Sequence, residues 1–215
     1  MIDLKTSWLH LMMRLDAQGS WNEPFDDLVE RYSEPHRVYH DLDHLIDVVD
    51  TFEHLPPSCQ PEEPRTTLFA LFYHDAIYRL GTRGNEAFSA VFAMFDARIM
   101  GVSHRMPNLR YRVQATDHKN LARTFDDCLI CDIDLAHFGK EWEEFSDARE
   151  RVRLEYLPFA REKEWTASEY AQQRAGALGK FVQRPTIYQT PYFKEKFEAQ
   201  AQENLKRHIA ELTRS

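Results

Sequence analysis

Phe69-Ala-Leu-Phe-Tyr-His-Asp-Ala-Ile-Tyr78 is an aromatic, apolar run in which an imidazole and a carboxylate, His74 and Asp75, stand side by side near the end. Residues 66–78 are almost wholly apolar, which predicts a helix buried on every side. A charged group at the end of such a segment loses its hydration and must be paired or bind a metal to stay ionised. His74 and Asp75 offer a metal one nitrogen and one oxygen, and a stable site needs further ligands from elsewhere in the chain.

On either side of this run the sequence has helical period. Leu4, Trp8, Leu11, Met12 and Leu15 recur at amphipathic spacing and predict an opening helix. Pro24 suits the first turn of a second helix over residues 25–32, which Glu34-Pro35 would end. Residues 36–55 predict a long helix closed by Pro56-Pro57, and the proline-rich residues 56–64 predict a loop. Further helices are expected over residues 86–100, 108–116, 122–138, 142–157, 167–182 and 192–212, the fourth of these stopping at Pro158. No strand-like alternation is present, and only 7 glycines occur in 215 residues. The expectation is one all-α domain over residues 1–215, a bundle of about nine or ten helices.

The formal net charge of −8 gives no general attraction to a nucleic-acid polymer or an anionic membrane. No apolar run approaches the ~20 residues that span a bilayer. The N-terminal residues lack signal-peptide features, and Cys59, Cys128 and Cys131 are too few and odd in number for a disulfide framework. A reducing, cytoplasmic setting is therefore expected. Cys128-x2-Cys131 has no second cysteine pair and reads as buried free thiols rather than half a zinc site.

Within the predicted helix 36–55, His40 and His44 are four residues apart and would share a face. Asp132 and Asp134 place acids on a later helix. Two imidazoles and two carboxylates spread over three helices suit a divalent metal with positions open to water and substrate.

His44, His74-Asp75 and Asp134 resemble the signature of the HD superfamily of metal-dependent phosphohydrolases, an all-helical fold. The resemblance extends to Arg37-x-Tyr39-His40-x3-His44-Leu45, Phe72-Tyr-His-Asp-Ala-Ile-Tyr78, Asn85-Glu86-x2-Ser89-Ala90, Ala115-Thr116-x-His118 and Asp132-x-Asp134-Leu-Ala. It continues in Val152-Arg-x-Glu155-Tyr156 and Arg184-Pro-x-Ile-Tyr188, motifs similar to those of one bacterial branch of predicted HD phosphohydrolases. Tyr39-His40-x3-His44-x2-Asp47-Val48 and Ala115-Thr116-Asp117 are also similar to the catalytic domain of cyclic-nucleotide phosphodiesterases. Ala76-Ile77-Tyr78 departs from that family's continuation, which counts against a cyclic nucleotide as substrate.

The resemblance implies that His44, His74, Asp75 and Asp134 are the metal ligands, with Asp132 competing for the last position. The implied ion is divalent (Mn, Mg, Co, Ni, Fe or Zn), with room for a second. Its bound water would attack a phosphoester of a nucleotide or another small phosphorylated metabolite. Asp75 would take the proton from that water, Glu86 would position the water or bind a second ion, and His40 or His118 would touch the phosphate or protonate the leaving oxygen.

Two other readings accompany this one. Some HD-fold proteins use two irons to activate oxygen and carry extra histidines before the last aspartate, where this chain has His104 and His118. A module that senses a nucleotide without turning it over is the other. Gly81-Thr-Arg-Gly84 lacks the pattern of a phosphate-cradling loop. Arg37, Lys119 and Arg123 read as surface charges or contacts to an anionic group, and His36, His54, His137 and His208 as surface or capping residues. Tyr78, Tyr156, Tyr188 and Phe193 read as core aromatics or pocket lining. The Trp8, Leu11 and Leu15 face fits either the core or a second copy of the chain, so a homodimer is left open.

Overall fold

A computed structural model describes residues 2–119 and 122–214. Among the described residues there are ten α-helices, three short 3₁₀ turns and no strand, as the sequence predicts. No helix among them is long and apolar enough to cross a membrane. The chain divides into two compact units, Met1–Ile133 and Asp134–Ser215.

The first unit contains α1 (Leu4–Leu15), α2 (Asn22–Tyr32), α3 (Leu42–Glu53), α4 (Pro64–Tyr73), α5 (Asn85–Ile99), α6 (Leu109–Ala115) and α7 (Phe125–Asp134), the last ending at the boundary. α4 is its axis. Pro64 opens it at a position where a missing N–H costs nothing, and every residue from Thr66 to Tyr73 is buried. Trp8 of α1 packs against Phe25, Phe69, Phe72 and Tyr73, and its indole N–H donates to the Trp21 carbonyl at 3.0 Å. The Trp8, Leu11 and Leu15 face is therefore core and is closed to a second copy of the chain. Tyr73 donates its hydroxyl to Asp96 of α5 at 2.7 Å, and burial raises the carboxyl pKa of Asp96.

The N-terminus of α4 is capped from far along the chain. Asp126 of α7 accepts from the backbone N–H groups of Glu62 and Glu63 at 2.8 and 2.9 Å. Arg112 of α6, itself buried, meets Asp126 at 3.0 Å and Asp127 at 3.6 Å. Capping donors and a buried cation thus share one pair of carboxylates.

Several expected helix boundaries move, among them the end of α7, which stops at Asp134 and gives way to a 3₁₀ turn instead of reaching residue 138, and two beside the candidate ligands. α4 ends at Tyr73, so His74 and Asp75 lie on the turn that follows it rather than within a helix reaching residue 78. α3 begins at Leu42, not residue 36, with Asp41 accepting from the N–H groups of Asp43 and His44. His36 and Arg37 spend their side chains on backbone carbonyls of residues 75, 76 and 78, which holds residues 36–41 out of a helix.

The second unit holds a 3₁₀ turn (Leu135–Gly139), α8 (Trp142–Glu162), α9 (Ala167–Val182) and α10 (Pro191–Arg214). Gly139 lies so close to α10 that an added Cβ would come within 2.5 Å of the Phe197 Cβ, which excludes any other residue there. Asn204 donates to the carbonyls of Phe138 and Lys140, both at 2.8 Å, and the Tyr188 hydroxyl donates to the Leu135 carbonyl at 3.0 Å. Tyr188 and Phe193 are buried here as core aromatics. α8 runs through Pro158 instead of stopping there. The proline removes only the bond to the Leu154 carbonyl, and Leu154 is exposed, so water can take that carbonyl.

His208 is buried, not a surface residue. Arg149 Nη1 donates to its Nδ1 at 3.0 Å. Burial, helped by the charges of Arg149 and Arg174, pushes its pKa down from 6.5 to about 4. The folded chain therefore refuses a proton that the unfolded chain accepts. Stability from this source is complete above about pH 6.5 and is lost as pH falls toward about 4. His208→Leu is expected to flatten the pH dependence of urea unfolding between those limits, and an unchanged slope would refute the assignment.

Candidate metal centre

The turn at residues 74–79 is irregular backbone at the edge of a buried core, so its polar groups need partners other than helix bonds. Side chains from three separate places supply them. Tyr32 accepts from the Asp75 N–H at 3.2 Å. Arg37, whose side chain is 0 % exposed, donates to the Asp75 carbonyl at 2.7 Å, to Ala76 at 3.1 Å and to His40 at 3.0 Å. Ser89 bonds both the N–H and the carbonyl of Ile77, and Asn85 does the same for Arg79. His36 donates to the Tyr78 carbonyl at 3.0 Å. The turn is thereby held from α2, α5 and residues 36–37.

Held this way, the turn aims three donor atoms at one point. His44 Nε2 lies 3.1 Å from His74 Nε2, and Asp75 Oδ2 lies 3.4 Å from His74 Nε2 and 3.9 Å from His44 Nε2. A triangle with these sides has a circumradius of about 2.0 Å, which matches the ~2.0–2.2 Å at which imidazole nitrogen and carboxylate oxygen bind zinc. The tautomer fits as well. His74 Nδ1 faces the Leu71 carbonyl at 2.7 Å, which can only accept, so Nδ1 carries the proton and Nε2 presents its lone pair to the centre. Among the described residues this is the one group of three or more His, Cys, Asp or Glu donors that could hold a metal ion.

His44 and His74 are buried, while the Asp75 side chain is 14 % exposed, so solvent reaches the centre from the aspartate side. His40 precedes α3 and does not share its face. Its ring stacks on Tyr78 with centroids 4.3 Å apart and stands 5.7 Å from the His44 ring, so the turn before α3 brings the two histidines together. Glu86, in the first turn of α5, is half-buried and lies on the same helix face as Ser89, Ala90 and Ala93, the face turned into the unit. His118 follows α6 in a left-handed conformation with φ 52°. His104 sits in an exposed 3₁₀ turn, where it accepts from Arg105. Asp132 is buried in α7, and Asp134 is the last residue of that helix and the first of the second unit.

Sequence reasoning treated Arg37 as a surface charge and did not single out Tyr32 or Asp41. Arg37 lies in the quoted Arg37-x-Tyr39-His40 motif, and Asp41 directly before an apolar run is a cap signal, so both had a trace in the sequence. Arg37→Lys is expected to weaken divalent-metal binding about 10- to 100-fold, because one ammonium cannot span three carbonyls in a fixed fork. A Mn²⁺ titration checks it, and wild-type affinity would show that Arg37 has no part in shaping the centre.

No family model, no curated protein and no solved structure matches the chain.

Proposed function

We propose that the protein is a metal-dependent phosphohydrolase acting on a nucleotide or another small phosphorylated metabolite. The observation that carries the reading is the convergence of His44 Nε2, His74 Nε2 and Asp75 Oδ2 around a point about 2.0 Å from each. The phosphoester itself comes from the resemblance of these and the surrounding motifs to HD phosphohydrolases. A divalent cation held there would lower the pKa of water toward ~7 and neutralise charge on a phosphoryl oxygen.

The chain's own groups divide the remaining work. Asp75, the donor that solvent reaches, accepts a proton from the attacking water. His74 is locked in one tautomer by Leu71 and keeps its lone pair inward. Glu86 enters on the inward face of α5, which Ser89 ties to the turn, and orients the water. His40, stacked on Tyr78 beside His44, contacts the phosphate or protonates the leaving oxygen, with His118 the other candidate for that proton. The motif nominates Asp134 as the fourth ligand, with Asp132 competing. Two residues apart on a helix, these acids point to different faces, so single Asp132→Ala and Asp134→Ala variants separate them.

The test is a panel of nucleotides and phosphorylated metabolites assayed with Mn²⁺, Mg²⁺, Co²⁺ or Ni²⁺. Turnover of at least one phosphoester that is lost on chelation supports the reading. Metal binding with no turnover of any member would sink it, and nucleotide binding without turnover would put a sensor in its place.

A further inference from the structure

α5 is apolar on both sides, and its two faces are built oppositely. Inward it carries small residues, Ser89, Ala90, Ala93 and Ala97, all buried. Outward it carries large ones. Phe88 is 58 % exposed, Val91 60 %, Met94 44 %, Phe95 60 % and Ile99 52 %. Phe88, Val91, Phe95 and Ile99 follow at steps of three and four, a straight ridge about 16 Å long at 1.5 Å per residue. A helix apolar all round is a buried helix, and within this chain α5 is buried on one face only.

A groove lies on each side of the ridge. One cavity of about 440 Å³ is lined by Ile77, Phe92 and the flanks of Phe88, Val91 and Phe95. The other, of about 280 Å³, is lined by Met94, Ala97, Met106, Leu109 and Tyr111, the last 68 % exposed. Arg79, Asn85, Ser103 and Arg110 edge the two grooves as a polar rim around an apolar centre. A convex apolar ridge is covered only by a surface with a matching groove. This surface supplies ridge and groove together, which is what a two-fold contact of a patch with itself requires.

We infer that the outer face of α5 is the contact surface of a homodimer, two copies crossing ridge into groove about a two-fold axis near Met94. Complete burial of the exposed area of the four ridge residues, Met94 and Tyr111 would remove on the order of 600 Å² per copy, about 1,200 Å² for the pair, which reaches the lower edge of the size of specific interfaces. The surface contains none of the three metal donors, although Ile77 and Arg79 join it to the turn that carries Asp75, and the inference stands whatever reaction the centre performs.

Sedimentation velocity of the full chain from ~1 to ~100 µM tests it. The wild type is expected to sediment as a dimer in the upper part of that range. Val91→Glu and Phe95→Glu are each expected to weaken dimerisation at least ~100-fold by placing a carboxylate at the centre of the contact. Both positions are exposed, so helix content should stay at the wild-type value, and the urea midpoints should agree at ~1 µM, where dimerisation adds little stability; Val91→Ser with Phe95→Ser serves if a glutamate variant fails to fold. A wild type that is monomeric throughout overturns the inference. So does a dimer that these variants leave equally tight, or a wild type that associates only with lipid vesicles.

Discussion

His74→Ala is expected to lower divalent-metal affinity by more than ~100-fold and to take any phosphatase activity below detection. Loss of a hydrogen bond behind a ligand already costs 10- to 100-fold, and a ligand itself must cost more. His74 is the hub of the triangle, since both other donors lie nearer to its Nε2 than to each other. Calorimetric titration measures the affinity directly. A second readout does not need a substrate. Metal at a hundred times its Kd should stabilise the wild type by about 2.7 kcal/mol, and at the same concentration His74→Ala should gain less than about 0.4 kcal/mol. Because His74 is fully buried, its truncation could also loosen the core, so Asp75→Asn is the companion. It keeps shape and partial exposure while removing the ligand charge, and the same loss is expected. Retention of both metal binding and the stability shift in the two variants would end the case for a metal centre here.

The largest effect on folding is expected from Arg112→Met. That change leaves Asp126 and Asp127 buried in the first unit without their cation, and breaking one side of a buried charge pair costs about 3–5 kcal/mol. Urea unfolding should show the loss. Adding Asp126→Asn and Asp127→Asn to the same chain should restore part of it, because the amides carry no uncompensated charge and the single carbonyl oxygen at position 126 still accepts from one of the Glu62 and Glu63 N–H groups. A single Arg112→Met variant within 1 kcal/mol of wild type, the ordinary size of a surface change, would mean that the network adds nothing net.

The helical class was legible in the sequence because each helix writes its period into its own residues. α9 matches its expected residues, and α1 was marked by Trp8, Leu11 and Leu15 at helical steps. The His-Asp pair was legible for the same local reason, being an ionisable step in an apolar run. Errors fell where a distant side chain replaced a local bond. Residues 36–41 look helical until His36 and Arg37 are seen donating to a turn some forty residues away, and α4 looks longer until Tyr32 and Ser89 are seen holding residues 75 and 77 in another conformation. His208 looked like a surface imidazole because its burial is made by its partners, including Arg149 some sixty residues away.

The order of residues was enough to specify about nine or ten helical segments, since periodicity is a property of short stretches, and the motif resemblance nominated His44, His74 and Asp75, with Asp134, as one group. Only the tertiary structure decided that their three donor atoms meet around a point about 2.0 Å away, and that Arg37 is buried beneath them. Convergence of that kind depends on where thirty intervening residues place two turns. No local pattern carries it, because the bonds that set it run between segments that are neighbours only after folding.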